Sequence, residues 1–183
     1  MSLLSGNTCR EKLWSDTKRI APMLPEISFV QKCPHCGKYF IRTRQERRFA
    51  KEGVSFNQGL LTYPEMKEAF AQLTEEAYQA PYEEPVVHMM LHHAYNDHYH
   101  RGEAHPPVAP EDWEQFVDNA KWIIDHVLKD DAVKAEFYRE IGAFDQALSM
   151  LDAYQPSNAF MEEYAKNVRE RAEKKDNRVF RTQ

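Results

Sequence analysis

The sequence predicts a mainly α protein, a helical bundle preceded by a small β-containing segment, and three observations carry that prediction. Composition changes character near residue 63: the part before it holds short β-favouring runs (Ile27–Val30, Tyr39–Ile41) among Pro22, Pro25, Pro34 and four glycines. After it the apolar spacing is helical, most clearly in Trp113, Phe116, Val117, Ala120, Ile123, Ile124, Val127 and Leu128, which form one continuous stripe. The third observation is Cys33-Pro34-His35-Cys36-Gly37, two thiols on one tight turn within the β-containing part. The expected organisation is a cysteine-knuckle segment with short strands over residues 1–62 and a helical bundle over 63–183.

The elements follow in order. Pro64 to about Tyr78 reads as the first helix, with Pro in its first turn and Met66, Phe70, Leu73 and Ala77 at helical spacing. Pro85 to about Arg101 is the second, closed by Gly102. A proline-stiffened loop, His105 to Pro110, leads into a third from about Glu111 to Lys129. Asp131 to Ile141 and Phe144 to Ala153 are split by Gly142, and Asn158 to about Lys175 is the last helix. Arg178-Val179-Phe180 then forms a tail that either docks or frays.

A chain of 183 residues with 42% hydrophobic and 29% charged residues has room for one sizeable core. No window approaches the roughly 18 consecutive apolar residues of a membrane helix, so no membrane partner is expected. A net charge of −5 argues against a protein that coats duplex nucleic acid, because neutralising phosphates needs excess Lys and Arg. The N-terminus shows neither a basic leader nor the apolar run of a secretory signal, and the expected location is cytoplasmic. Three cysteines, two of them in Cys-x₂-Cys, fit a reducing compartment and metal use better than a disulfide framework.

Cys33 and Cys36 are the candidate metal ligands, and the expected cofactor is a structural Zn²⁺. Thiolates hold Zn²⁺ at about 2.3 Å, and a closed site takes four ligands, so this motif is half a site. Cys9 is a candidate third ligand, with His35, Asp16 or a partner chain's knuckle for the remainder. Cys-Pro-x-Cys-Gly followed by Phe40 is similar to the knuckles of zinc ribbons and rubredoxin-like sites. Cys-Pro-His-Cys also resembles the active site of thioredoxin-fold oxidoreductases, but that chemistry needs the first Cys at a helix N-terminus. Here the residues that follow read as a turn into a strand.

Six of the eight histidines fall between His88 and His105. On a helix His88 and His92 share a stripe and are candidate ligands of a metal-dependent enzyme. Such a site wants Glu directly after the first His, where Met89 stands, and Asp97 lies on another face. A solvated stripe beside the apolar face of Val87, Met90, Leu91, Ala94 and Tyr95 explains the pattern without metal.

The segment 38–51 carries Lys38, Arg42, Arg44, Arg47, Arg48 and Lys51 beside Tyr39, Phe40 and Phe49. Cations interleaved with aromatics are one way to hold single-stranded nucleic acid. In an acidic chain the favoured reading is a charged surface that pairs with acidic helices, including Glu75-Glu76 and Glu83-Glu84.

Residues 131–154 resemble the tetratricopeptide repeat: Ala135 and Tyr138 on a first helix, Gly142 at the turn, then Phe144, Ala147 and Leu151. The pattern departs from the motif at Asp131 and Lys134. Small residues let antiparallel helices approach closely, and the resemblance implies a helical bundle that offers a surface to a protein or peptide partner. Phosphate-binding glycine loops and the serine-hydrolase elbow are absent. The function expected is a non-catalytic cytoplasmic interaction or scaffold module with a structural zinc knuckle. A metal-dependent enzyme using His88 and His92 and a nucleic-acid-binding adaptor are the alternatives.

Overall fold

The computed structural model describes residues 11–21, 28–42, 60–73, 75–102, 105 and 107–182. In chain order the elements are β1 (Lys12–Leu13), β2 (Arg19–Ile20), β3 (Val30–Lys32), β4 (Tyr39–Ile41), α1 (Tyr63–Gln72), α2 (Glu83–Tyr95), α3 (Asp97–Arg101), α4 (Trp113–His126), α5 (Asp131–Glu140), α6 (Phe144–Asp152) and α7 (Ala159–Glu173). Single 3₁₀ turns lie at Glu75–Ala77 and Pro110–Asp112. The protein is mainly helical, with two small antiparallel sheets in its N-terminal region. It divides into two compact units: Met1–Leu24 with Tyr95–Gln183, and Pro25–Ala94.

In the Pro25–Ala94 unit, β3 and β4 pair with Val30 opposite Ile41 and Lys32 opposite Tyr39. Their turn is the Cys33–Lys38 loop, closed by Cys33 N–H donating to the Lys38 carbonyl at 2.8 Å. The hairpin is tied to α1 by the Tyr39 N–H, which donates to Gln72 Oε1 at 2.6 Å, and by the Tyr39 hydroxyl, which donates to Glu68 Oε2 at 2.7 Å. That bond holds the Glu68 carboxyl below its usual range, while burial first and Glu68 second push the Tyr39 phenol up. Thr62 caps α1, its N–H donating to Glu65 Oε2 at 2.9 Å, and the helix buries Tyr63, Met66 and Ala69. Glu83 opens α2 by accepting from the Gln79 and Ala80 N–H groups, which explains a buried acid at that position.

The other unit contains β1–β2 and the helices from α3 onward. Asp130 caps α5, its carboxylate accepting from the Ala132 N–H at 2.9 Å and the Val133 N–H at 3.3 Å. Gly142 turns α5 into α6 with φ +79°, a left-handed conformation that costs glycine little and other residues more. Asn158 caps α7 by accepting from the Met161 N–H at 3.0 Å. Ala132, Ala135, Ala147, Leu151, Tyr164, Val168, Ala172 and Phe180 form one buried cluster among α5, α6, α7 and the tail. Four of its members are alanines, small residues over which packed helices can approach closely. A second buried group, Phe116, Ala120, Ile123 and Ile124, is the inner face of α4. Trp113, placed in that stripe by its spacing, is the first residue of α4 and is 38% exposed.

The tail docks. Trp14 bridges Arg181, Ser15 N–H donates to the Phe180 carbonyl at 2.8 Å, and Thr182 N–H donates to the Leu13 carbonyl at 2.8 Å. Phe180 N–H donates to Ser15 Oγ, and the Tyr164 hydroxyl donates to the Ser15 carbonyl at 2.7 Å. The helix expected over 85–101 is two helices, broken at Asn96, where φ −89° and ψ 1° interrupt the ladder. The apolar spacing runs across the break, which is why the pattern alone does not locate it.

Candidate functional site

The knuckle has the backbone its sequence requires. Gly37 adopts φ +72°, and its N–H donates to the Cys33 carbonyl at 2.9 Å. The nearby backbone N–H groups of Cys36, then His35, favour the Cys33 thiolate and hold its thiol below the ordinary range. Both thiols are free, Cys33 half-buried and Cys36 exposed. Among the described residues no group of three or more His, Cys, Asp or Glu stands close enough together to hold a metal ion. His35 makes no such group with the two thiols, and Cys9 lies outside the described residues, as do Arg44, Arg47, Arg48 and Lys51 of the basic segment.

His88 and His92 differ from the expected solvated stripe: their exposures are 8% and 0%. His88 packs edge-on against Phe70, ring centroids 4.9 Å apart, so α2 is covered along its histidine stripe as well as along its apolar face. The local ion pair expected of Arg101 and Asp97 is present, Nε to Oδ1 at 3.0 Å.

The densest chemistry lies where the sequence offers no motif. His100 Nε2 stands 2.9 Å from Asp16 Oδ2 and its Nδ1 3.5 Å from Asp97 Oδ1, with the Trp14 ring edge-on at 5.0 Å. Burial works against the imidazolium, but the hydrogen bonds it donates to Asp16 and Asp97 outweigh that and raise His100 to about 9. Asn96 Nδ2 donates to Asp16 Oδ2 at 3.1 Å and to Glu140 Oε2 at 2.8 Å. Glu140 is pushed well above the carboxylate range by burial, and Glu136 and Asp16 push the same way. Next to it, Arg139 grips Glu136 with two parallel bonds of 2.8 and 2.6 Å. The same guanidinium donates to the carbonyls of Asp176 and Arg178, the latter at 3.0 Å, and lies 5.6 Å from the Phe180 ring centre.

These groups form one buried polar layer joining the turn of the N-terminal hairpin, α3, α5 and the tail. His100 and Arg139 pair with Asp16, Asp97 and Glu136, and Arg139 also satisfies tail carbonyls, so the layer ties those elements together. Residue-by-residue reading missed Asp16, His100, Glu136, Arg139 and Glu140 in these roles. The only sequence signal was Glu136 and Arg139 at i,i+3, which reads equally well as an exposed helix pair.

The layer falls largely within one stretch that a family model matches. Residues 98–183 match the family model described as mitochondrial ribosomal protein S23. No curated protein and no solved structure matches the chain. The matched stretch begins in α3 and runs through the tail. It contains His100, Glu136, Arg139, Glu140 and Phe180, whereas the knuckle and the α2 histidines lie outside it.

The cytoplasmic expectation is corrected by this match, because the matched family is a mitochondrial one. That expectation rested on the lack of a secretory leader. Mitochondrial proteins do not carry such a leader either, and the feature does not separate the two compartments.

Proposed function

We propose that the protein is a non-catalytic structural component of the mitochondrial ribosome, working in the matrix and held by ribosomal RNA and neighbouring ribosomal proteins. The match of residues 98–183 to mitochondrial ribosomal protein S23 carries this reading. Two features of the chain support it. A polar layer spent on holding elements together suits a protein that presents a fixed surface to an assembly.

Charge is also distributed for it: from Lys166 onward the sequence has Lys166, Arg169, Arg171, Lys174, Lys175, Arg178 and Arg181 against Glu170, Glu173 and Asp176, in a chain that is acidic overall. Lys166, Lys174, Lys175 and Arg178 present exposed side chains there. A local excess of this kind provides phosphate contacts, while the acidic remainder turns toward protein neighbours.

The test is sedimentation of mitochondrial lysate containing the full-length tagged chain. Co-migration with ribosomal RNA, weakened by Lys174→Glu with Lys175→Glu and by raised salt, is the expected result. A chain found only among free proteins at the top of the gradient removes the reading.

A further inference from the structure

The Cys33–Lys38 loop is a preformed thiol knuckle with no use in the ribosomal reading. Its backbone is fixed by the Cys33–Lys38 and Gly37–Cys33 hydrogen bonds, by the left-handed Gly37, and by the β3–β4 pairing beneath it. Cys33 and Cys36 stand on this one turn, the first half-buried and the second exposed. Both cysteines thus lie on one turn at the end of a hairpin, and Pro34, His35, Cys36, Gly37 and Lys38 are all exposed. A tetrahedral thiolate site needs four sulfurs. The whole chain has three cysteines, so one copy never supplies them, and among the described residues no third ligand joins the pair.

We propose that Cys33 and Cys36 form half of a tetrathiolate Zn²⁺ site completed by the same two residues of a second copy of this chain. Exposure of the whole loop lets two knuckles meet tip to tip around one ion. Charge favours the arrangement: four thiolates around Zn²⁺ leave a net charge of −2, and each knuckle brings its own exposed Lys38 beside them. Loading transfers no electrons; two Cys thiols from each copy lose their protons to solvent as the ion binds. The site lies outside residues 98–183 and stands independently of the ribosomal assignment.

The experiment uses the full-length chain under a phosphine reductant, with ZnCl₂ and, separately, CoCl₂ as probes. Light-scattering mass and bound-metal analysis are expected to give a dimer with one zinc per two chains, returning to monomer with EDTA. Cobalt is expected to give the intense thiolate charge-transfer and visible bands of a four-sulfur tetrahedral site. Cys36→Ser, at an exposed position that leaves the circular dichroism unchanged, abolishes both, and Cys9→Ser changes neither. One metal per monomer, loss of metal with Cys9→Ser, a dimer that survives EDTA, or no metal bound would each overturn the proposal.

Discussion

His100 and Asp16 form a buried ion pair, Nε2 to Oδ2 at 2.9 Å, with neither side chain exposed to solvent. The pair joins α3 to the turn of the N-terminal hairpin across 84 positions of sequence, and Asp97 supports it from one turn earlier on the same helix. His100 is raised from 6.5 to about 9, so its proton is bound more tightly in the folded protein than in the unfolded one. The resulting stabilisation is complete below about pH 6.5 and is lost as pH rises through about 9; the shift corresponds to about 3 kcal/mol. Urea unfolding at a series of pH values is expected to show this decline, and His100→Gln to flatten it. An unchanged slope in that variant would show that other groups set the pH dependence.

Glu140 acts in the same pH direction for a different reason. Burial raises its carboxyl well above the ordinary value, so ionising it costs the folded state more than the unfolded one. Glu140→Gln keeps an acceptor for Asn96 Nδ2 and removes the charge. Its stability should therefore equal or exceed that of the parent above neutrality, while Glu140→Ala should lose about 2 kcal/mol by leaving the Asn96 amide short of a partner. Parallel melts of the two variants at pH 8 measure the difference.

Arg139 should be the least replaceable residue of the layer. Arg139→Met strands Glu136 and frees two tail carbonyls, an expected loss of about 3 to 5 kcal/mol. Because the cost lies mainly in the stranded charge, Arg139→Met with Glu136→Leu should recover much of it. Denaturant titration of the four-member cycle reads the coupling. Hydrogen exchange at Val179 and Phe180 should quicken in the single variant, since the guanidinium holds the turn that precedes them.

Asp130 serves two elements at once, capping α5 and accepting from the Tyr154 hydroxyl at 3.1 Å. Burial and the Asp130 charge raise the Tyr154 phenol to about 12. Asp130→Ala should cost about 1 kcal/mol from the lost cap and bring Tyr154 down toward 10, followed as tyrosinate absorbance against pH. Asp130→Asn should keep most of the cap while still lowering Tyr154.

Local chemistry made much of the fold legible in the sequence. The inner face of α4, the Gly142 turn, the Asn158 start of α7 and the Gly37 knuckle each follow from periodicity, a capping side chain or a required left-handed residue. The break at Asn96 was hidden because its amide serves Asp16 and Glu140, 80 and 44 positions away, rather than its own helix. Glu136, Arg139 and Glu140 resemble a solvent-facing helix side until Asp16 and the tail are laid over them. The stripe of His88 and His92 was misread for the same reason: a covering ring such as Phe70 leaves no trace in the helix's own pattern.

The pairing of Leu13 and Ser15 with Phe180 and Thr182 has a consequence for how the molecule is made. Those bonds span 165 to 169 positions, and Pro25–Ala94 is a compact unit synthesised wholly between their two halves. During elongation the hairpin strands are made before the inserted unit, and they cannot pair with the tail until that unit has been made. Their native partners are synthesised only after that unit. Closure of the outer unit therefore depends on contacts of long sequence separation, a step of high contact order that is slow relative to the folding of local elements.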